Sequence, residues 1–341
     1  MLNTPHRVLV IPGDGIGVEV TGAMLEVLDA VGLDWTLDVR RDINSETWLK
    51  SQTGIPEPLM AELKSGRYGA ILFGAIGDPR APEGVVERAT LLRLRFELNL
   101  ALNVRPLRLP AGLPSVLASG NRIDAVVVRE NTEGAYSGAS GSIHRGSEHE
   151  VAVTTSISTR TGARAALAHG FRLAKERRGD MCLVHKANVL QDEGRLWRSE
   201  ADAQARENPG VVARYMHADA AAMRLITHPQ EFDVIVTDNL FGDLLTDLGA
   251  ALSGGIGLAA SSNVNPWTNL ALFEPIHGTA PDIAGKGLAN PLAMIRCLGM
   301  CARHLGEMTV AQRILDATDA AAVRTGARTS DYLEAVVGAL G

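Results

Sequence analysis

The feature that most constrains this chain is an alternation. Short apolar, β-branched runs return at residues 8–11, 70–73, 125–128, 151–156, 182–184 and 234–237. Longer stretches with helical spacing separate several of them, at 18–31, 161–176 and 240–252. Runs of three to six residues suit strands, and strands separated by helices predict an α/β fold with a largely parallel sheet. The pattern excludes a helical bundle and an antiparallel sandwich. The 35 glycines and the 4% aromatic content fit the many tight strand–helix turns of such a fold. The final stretch, 291–341, reads as mostly helical.

At 341 residues the chain predicts two domains, since domains average about 100–200 residues. No low-complexity tract, repeat or long linker divides it, so the two are expected to share a large interface or a continuous sheet. The segment 92–100 alternates with period two, as a strand would, yet 85–98 has the length and residues of a helix. On a helix, Arg88, Leu91, Leu92 and Arg95 share one face. A helix running into a strand near 102–104 is the preferred reading.

Composition closes several functional classes. A net charge of −6, from 33 basic and 39 acidic side chains, gives no reason to expect nucleic acid or an anionic membrane. No apolar run approaches the roughly 18–20 residues of a bilayer span. Residues 1–7 carry no leader pattern, so a cytoplasmic protein is expected. Cys182, Cys297 and Cys301 are read as small buried hydrophobes, because nothing completes a disulfide framework or a metal site.

Five segments carry residues suited to chemistry. Ile11-Pro12-Gly13-Asp14-Gly15-Ile16-Gly17 is either an anion cradle at a helix start or a tight turn. It is neither a G-x-G-x-x-G fingerprint nor a P-loop. In Asn239–Asp247 the carboxylates of Asp243 and Asp247 stand one helical turn apart. A hard divalent cation there would offset their repulsion; a solvated acidic turn is the plain alternative. Arg95, Arg105 and Arg129 would suit a di- or tricarboxylate if they converge, which spacing alone does not decide. Lys186, in Val184-His185-Lys186-Ala187-Asn188-Val189, ends an apolar strand and is a candidate general base or a Lys reaching to solvent. The segment from Glu274 to Gly287, with Asn290-Pro291 after it, reads as an ordered loop. Asp282 in it suits the hydroxyls of an adenosine ribose and repels a 2′-phosphate.

Together these segments resemble the β-decarboxylating dehydrogenases, the family of isocitrate and isopropylmalate dehydrogenases. The likeness runs from Val8 to about Gly306, through NVRP, VVREN-TEG-AYSG, HKANV, NLFGDLLTD and EPIHGTAPDIAGKG in that order. The form GVxERxxLLRLRFEL, over residues 84–98, is most like the isopropylmalate-specific members. The resemblance implies two α/β domains sharing one extended mixed sheet, and not a Rossmann domain. Residues 1–100 with 256–341 would form the cofactor-binding domain, and 101–255 the central domain with the dimer interface.

The resemblance also implies roles. Arg95, Arg105 and Arg129 would hold malate carboxylates, Lys186 would take the hydroxyl proton and Tyr136 would protonate the enol carbon. Asp219, Asp243 and Asp247 would hold Mg²⁺ or Mn²⁺, with Lys186 and Asp219 reaching into the partner's site of a homodimer. Glu274, His277, Gly278, Thr279, Ala280, Asp282 and Asn290 would bind NAD. Ile283 after Asp282 fits NAD, since NADP-linked relatives place a Lys and a Tyr at these positions. The expected reaction is NAD-dependent oxidative decarboxylation of a 3-substituted malate, in leucine biosynthesis if the substituent is isopropyl. Leu91, Leu92 and Val189 would form its apolar pocket. An inward Arg88, in competition with Glu87, would favour homoisocitrate or isocitrate instead; tartrate or an alkyl or aryl malate are further alternatives. Read from the residues alone, a metal-dependent hydrolase using Asp243 and Asp247 is the competing class, and it leaves the Asp282 loop without a purpose. A non-catalytic regulatory relative would lack Tyr136, Lys186 or one of the aspartates.

Overall fold

The computed structural model of the chain describes residues 6–117, 119–324 and 327–341. It begins with β1 (Arg7–Gly13), α1 (Ile16–Val31), β2 (Thr36–Val39), α2 (Ser45–Ser51), α3 (Glu57–Lys64) and β3 (Ala70–Ala75). Next come α4 (Val85–Ala89), α5 (Leu91–Glu97), β4 (Leu102–Arg108), β5 (Asp124–Glu130), β6 (Ser140–Ile143) and β7 (Val151–Thr154). They are followed by α6 (Arg160–Glu176), β8 (Asp180–His185), α7 (Gln191–Glu207), β9 (Val212–His217) and α8 (Ala218–Thr227). The remainder is β10 (Val234–Thr237), α9 (Asn239–Leu252), β11 (Ala260–Val264), β12 (Ala271–Pro275), α10 (Leu292–His304), α11 (Met308–Ala321) and α12 (Thr329–Ala339). These elements form two compact α/β units. One comprises the described residues up to Leu100 with Arg108–Gly120 and Ala250–Gly341; the other comprises Ala101–Leu107 and Asn121–Gly249. The expected boundaries lie at 100/101 and 255/256. The structure assigns 108–120 to the first unit and makes the return switch after Gly249.

In the first unit the strand order is β2-β1-β3-β12-β11. All pairs are parallel except β11 with β12. Every residue of β3 and nearly every residue of β1 is buried, as expected of a sheet covered on both faces. Leu9, Ile11, Phe73 and Leu272 of these strands pack with Trp48, Met60, Leu94 and Leu98 in one apolar cluster. Cys297 and Cys301 lie on the buried face of α10 as free thiols, and Cys182 is buried likewise in the second unit.

In the second unit the order is β4-β5-β10-β8-β9. β10 runs parallel to β5 and β8, and β8 parallel to β9. Gly170 brings α6 hard against this sheet: a Cβ there would stand 2.2 Å from Val236 Cγ2. The register sets the functional geometry. Thr237 is level with Arg129 and Val184, and His185 with His217. Arg129, Lys186, Asp238 and Asp219 therefore emerge at one end of the sheet, beyond the carboxyl ends of the strands, where open parallel sheets bind ligands.

Two readings need correction. The run 151–156 does not join the main sheet. Val151–Thr154 pairs antiparallel with Ser140–Ile143 in a separate hairpin whose β7 residues are all exposed, so its alternation has no buried face to match. The segment 85–97 is helical and leads into a strand, but it is two helices and not one. Thr90 (φ −122°, ψ −91°) interrupts them, and its hydroxyl donates to the Val86 carbonyl at 2.7 Å. β9, an edge strand of mixed polarity, had no apolar run to announce it.

Candidate active site

Asp243 is the centre of a polar cluster in the second unit. Arg129 is the penultimate residue of β5, with its side chain 3% exposed, and its guanidinium pairs with Asp243 Oδ1. Its Nε and Nη2 also donate to Asn239 Oδ1, at 3.0 and 2.6 Å. Tyr136 Oη donates to Asp243 Oδ2 at 3.0 Å, with the Arg129 guanidinium 5.3 Å from its ring centre. Arg105, on β4, reaches Asp243 Oδ1 at 3.8 Å and Asp247 Oδ1 at 3.5 Å, and donates to Thr246 Oγ1 at 2.8 Å. Gly242 makes this possible: a Cβ there would lie 2.5 Å from Arg129 Cγ. Two arginines thus converge with Tyr136 on one carboxylate. Burial, reinforced by Asp243, raises the Tyr136 pKa, so its hydroxyl keeps its proton at neutral pH.

The helix N-terminus does not offset the Asp243–Asp247 repulsion. α9 begins at Asn239, and Asp238 before it accepts the Phe241 amide at 2.9 Å. Asp243 lies beyond the first turn, where the dipole has faded, and the arginines supply the compensating charge.

Lys186 and Asp219 form a second pair, Nζ to Oδ2, at 2.7 Å. Asp219 is 67% exposed, and Lys186 holds its carboxyl below the usual carboxylate range. The structure brings Asp243 and Asp247 together and leaves Asp219 with Lys186. Among the described residues no group of three or more His, Cys, Asp or Glu side chains is arranged to hold a metal ion. The donor set of one chain is two hard carboxylates, and Asp247 is 66% exposed. That chemistry suits Mg²⁺ or Mn²⁺ once a further carboxylate is supplied. Val189 is exposed just beyond the Lys186 turn.

Sequence reasoning missed the residues behind these groups. His185, 0% exposed, stands 3.4 Å from Asp238 Oδ2 without hydrogen-bond alignment. Burial lowers the His185 pKa to about 4 and raises that of Asp238 to about 7. Asn239, the partner of Arg129, was inside a quoted motif, but nothing in the motif distinguished it.

The other predicted residues belong to the first unit. Arg95 stands 3.6 Å from Glu274 Oε1, which also accepts Asn263 Nδ2 at 2.7 Å. Leu91 packs against the apolar core and Leu92 is half-buried. Arg88 is exposed and folds back onto its own helix start, donating to the Glu83 carbonyl at 3.4 Å. Because the helix breaks at Thr90, the heptad relation of Arg88 to Arg95 does not hold. Glu87 lies over Gly77, where a Cβ would meet its Oε1 at 2.6 Å.

The Gly13–Gly17 turn is packing and not a cradle. Cβ atoms at Gly13, Gly15 and Gly17 would meet Ala75 O at 1.8 Å, Thr279 O at 2.1 Å and Pro12 O at 2.4 Å. Asp14 is consumed by Ser45 and the Gly77 amide. The loop after β12 is different. Gly278 is open, Ala280 holds a left-handed φ of 39°, and Asp282 is exposed and unpaired among the described residues. Ile16 N–H donates to the Thr279 carbonyl at 2.9 Å, and Asn290 Oδ1 caps the Leu292 amide. His277 Nδ1 lies 3.0 Å from the Gly278 carbonyl, while its buried Nε2 has no partner. Burial lowers its pKa and favours the neutral ring. With Nδ1 donating, Nε2 is an acceptor awaiting a donor such as the amino group of adenine, so the loop fits a dinucleotide.

The family model described as isocitrate/isopropylmalate dehydrogenase matches residues 7–338. The 3-isopropylmalate dehydrogenase of Mycolicibacterium gilvum (strain PYR-GCK) is 48% identical over 311 residues, covering 90% of this chain and 91% of that protein. That of Mycobacterium tuberculosis (strain ATCC 25618 / H37Rv) is 46% identical over 338 residues, covering 98% and 100%. Among solved structures, isocitrate dehydrogenase from Methylococcus capsulatus superposes with a TM-score of 0.87 at 34% identity, covering 98% of this chain and 99% of that one.

Proposed function

The chain belongs to the isocitrate/isopropylmalate dehydrogenase family, and from that premise we propose that it oxidises and decarboxylates 3-isopropylmalate to 2-oxoisocaproate with NAD⁺. The observation that carries the reading is the convergence of Arg105, Arg129 and Tyr136 on Asp243, one turn from Asp247. Cations for substrate carboxylates, a protonated acid and hard oxygen donors meet at one sheet end, which a hydrolase does not require.

Asp243 and Asp247, with Asp219 of a second copy, would hold Mg²⁺ or Mn²⁺; the loop from His277 to Asn290, with Glu274, would hold NAD. When bound, the cation supplies Lewis acidity toward the substrate hydroxyl and NAD⁺ accepts the hydride. Arg105 and Arg129 bind and orient the malate carboxylates, a role that the resemblance also gives to Arg95. The Lys186 amine takes the proton of the C2 hydroxyl. Loss of CO₂ leaves a carbon that Tyr136 Oη protonates.

A homodimer with shared sites is part of this reading, because the metal donors of one chain are incomplete. Exposed apolar side chains in the second unit support it: Met223 and Ile226 on α8, Leu240 and Leu244 on α9, and Ile143 and Val153 on the hairpin. Among the described residues no helix is long and apolar enough to cross a membrane. A cytoplasmic place and a role in leucine biosynthesis are part of the proposed reading.

For the substituent, the exposed, folded-back Arg88 supports isopropyl over a third carboxylate. Leu91, Leu92 and Val189 remain the residues assigned to it. The test is NADH formation at 340 nm with CO₂ release. 3-Isopropylmalate should give a higher kcat/KM than homoisocitrate, isocitrate or tartrate; a higher value for a tricarboxylate contradicts the assignment.

A further inference from the structure

Tyr215, on β9, sits where both proposed reacting elements of the second unit meet. Its Oη receives the Ala187 amide at 3.0 Å and lies 3.0 Å from the His185 carbonyl. These are the peptide groups on either side of Lys186. The same Oη lies 3.0 Å from His217 Nδ1. A phenol has one proton, and a carbonyl only accepts, so Oη donates to His185 O. His217 must then carry its proton on Nδ1 and donate to Oη. The hydroxyl is saturated, with one bond given and two received.

The contacts join two chain segments with different duties. His217 immediately precedes α8, whose first turn carries Asp219. The Lys186 turn is closed by Val189 and Leu190 amides on the Lys186 carbonyl, each at 2.9 Å. Gly194 lets α7 press on this turn, since a Cβ there would stand 2.3 Å from Ala187 Cβ. On the other side, the His185 ring is held edge-on to Phe241, 5.9 Å between centres. We propose that the Tyr215 hydroxyl is a positioning group that fixes Lys186 relative to Asp219, setting the direction from which the amine takes the substrate proton. This rests on the reading of Lys186 as the proton acceptor.

Tyr215→Phe removes the hydroxyl but keeps the ring, its edge contact with His217 and its stacking under Arg198, whose guanidinium is 5.1 Å away. In the full-length enzyme this variant should lower kcat by between about tenfold and a hundredfold, the usual consequence of a misplaced reacting group. The KM for NAD⁺ should stay at the parent value, while the unfolding midpoint falls modestly because the Ala187 amide and the His185 carbonyl lose their partner. Added to Lys186→Met, it should cost nothing further. Arg198→Ala, which removes the stacking but not the hydroxyl, should leave kcat within about twofold. A Tyr215→Phe enzyme with parental kcat, alongside an inactive Lys186→Met, overturns the proposal. So does a kcat loss accompanied by a raised KM for NAD⁺, because the damage then reaches beyond the Lys186 turn and the hydroxyl is merely structural. If Lys186→Met itself keeps full turnover, the reading of Lys186 fails, and that result is distinct from either of the others.

Discussion

The Asp243 cluster and the loop after β12 are built in opposite ways. In the cluster, side chains do the positioning. Asp243 is claimed by Arg129, Arg105 and Tyr136, and Arg129 is itself held by Asn239. In the loop, the backbone does it. Gly15 and Thr279 touch main chain to main chain, Ala280 sits in a left-handed conformation, and Asp282 is free of partners among the described residues. A substitution should therefore act differently in the two regions. Change a side chain in the cluster and its partners are left charged and unpaired. Change one in the loop and only the recognition of a ligand is altered.

The largest contrast should come from Asp243→Asn. It removes a proposed metal ligand and strands two arginines, so turnover should fall by roughly a hundredfold to a thousandfold, about 3–4 kcal/mol of activation free energy. Steady-state rates in saturating Mg²⁺ check this; undiminished activity in a chelator would refute the metal site.

Next is the buried titrating pair behind the cluster. The folded pKa of His185 is about 4 against 6.5 unfolded. A lowered histidine pKa means that the unfolded chain binds the extra proton. The stability this group contributes is full above pH 6.5 and lost as the pH falls towards 4. Asp238, raised to about 7, works in the opposite sense and masks the effect in the parent. His185→Phe removes only the first contribution. The stability difference, variant minus parent, should therefore rise by up to about 3 kcal/mol between pH 7 and pH 4. Urea midpoints at a series of pH values measure it, and a flat difference breaks the assignment.

On the loop side the expected effects are smaller. Asp282→Ala should leave folding untouched and narrow the preference for NAD⁺ over NADP⁺ by about tenfold, through lost repulsion of the 2′-phosphate. Equal kcat/KM for the two cofactors in the parent would show that Asp282 does not face the ribose. Smallest is Ala280→Gly. It relieves a left-handed φ of 39° and should be neutral or stabilising by up to about 1 kcal/mol. A clear loss of stability would mean that the Ala280 methyl is needed for packing.

These two regions also differ in how far they could be read from the chain. The alternation of strand and helix was visible because buried parallel strands must be apolar on both faces, as β1 and β3 are. Arg105, Arg129, Tyr136, Asp243 and Asp247 were recognisable by type and by resemblance. Their convergence was not, because it depends on strand register and on Gly242 admitting the Arg129 stem. Thr90 was invisible as a helix break, since threonine ends helices only where its surroundings favour it. The Gly13–Gly17 turn stayed open between two readings for a related reason: glycine allows close approach equally to a phosphate and to the protein's own backbone. His185 and Asp238 read as ordinary residues flanking Lys186 and Asn239, and only burial makes them unusual.

In the proposed enzyme a working site takes Asp243 from one chain and Lys186 from another. Lys186→Met and Asp243→Asn carry the two defects separately. A heterodimer purified through two different tags, one on each variant chain, should regain about half the parental activity per dimer, because one of its two sites is then intact. Each homodimeric variant should stay inactive. A heterodimer as inactive as its parents would contradict the account.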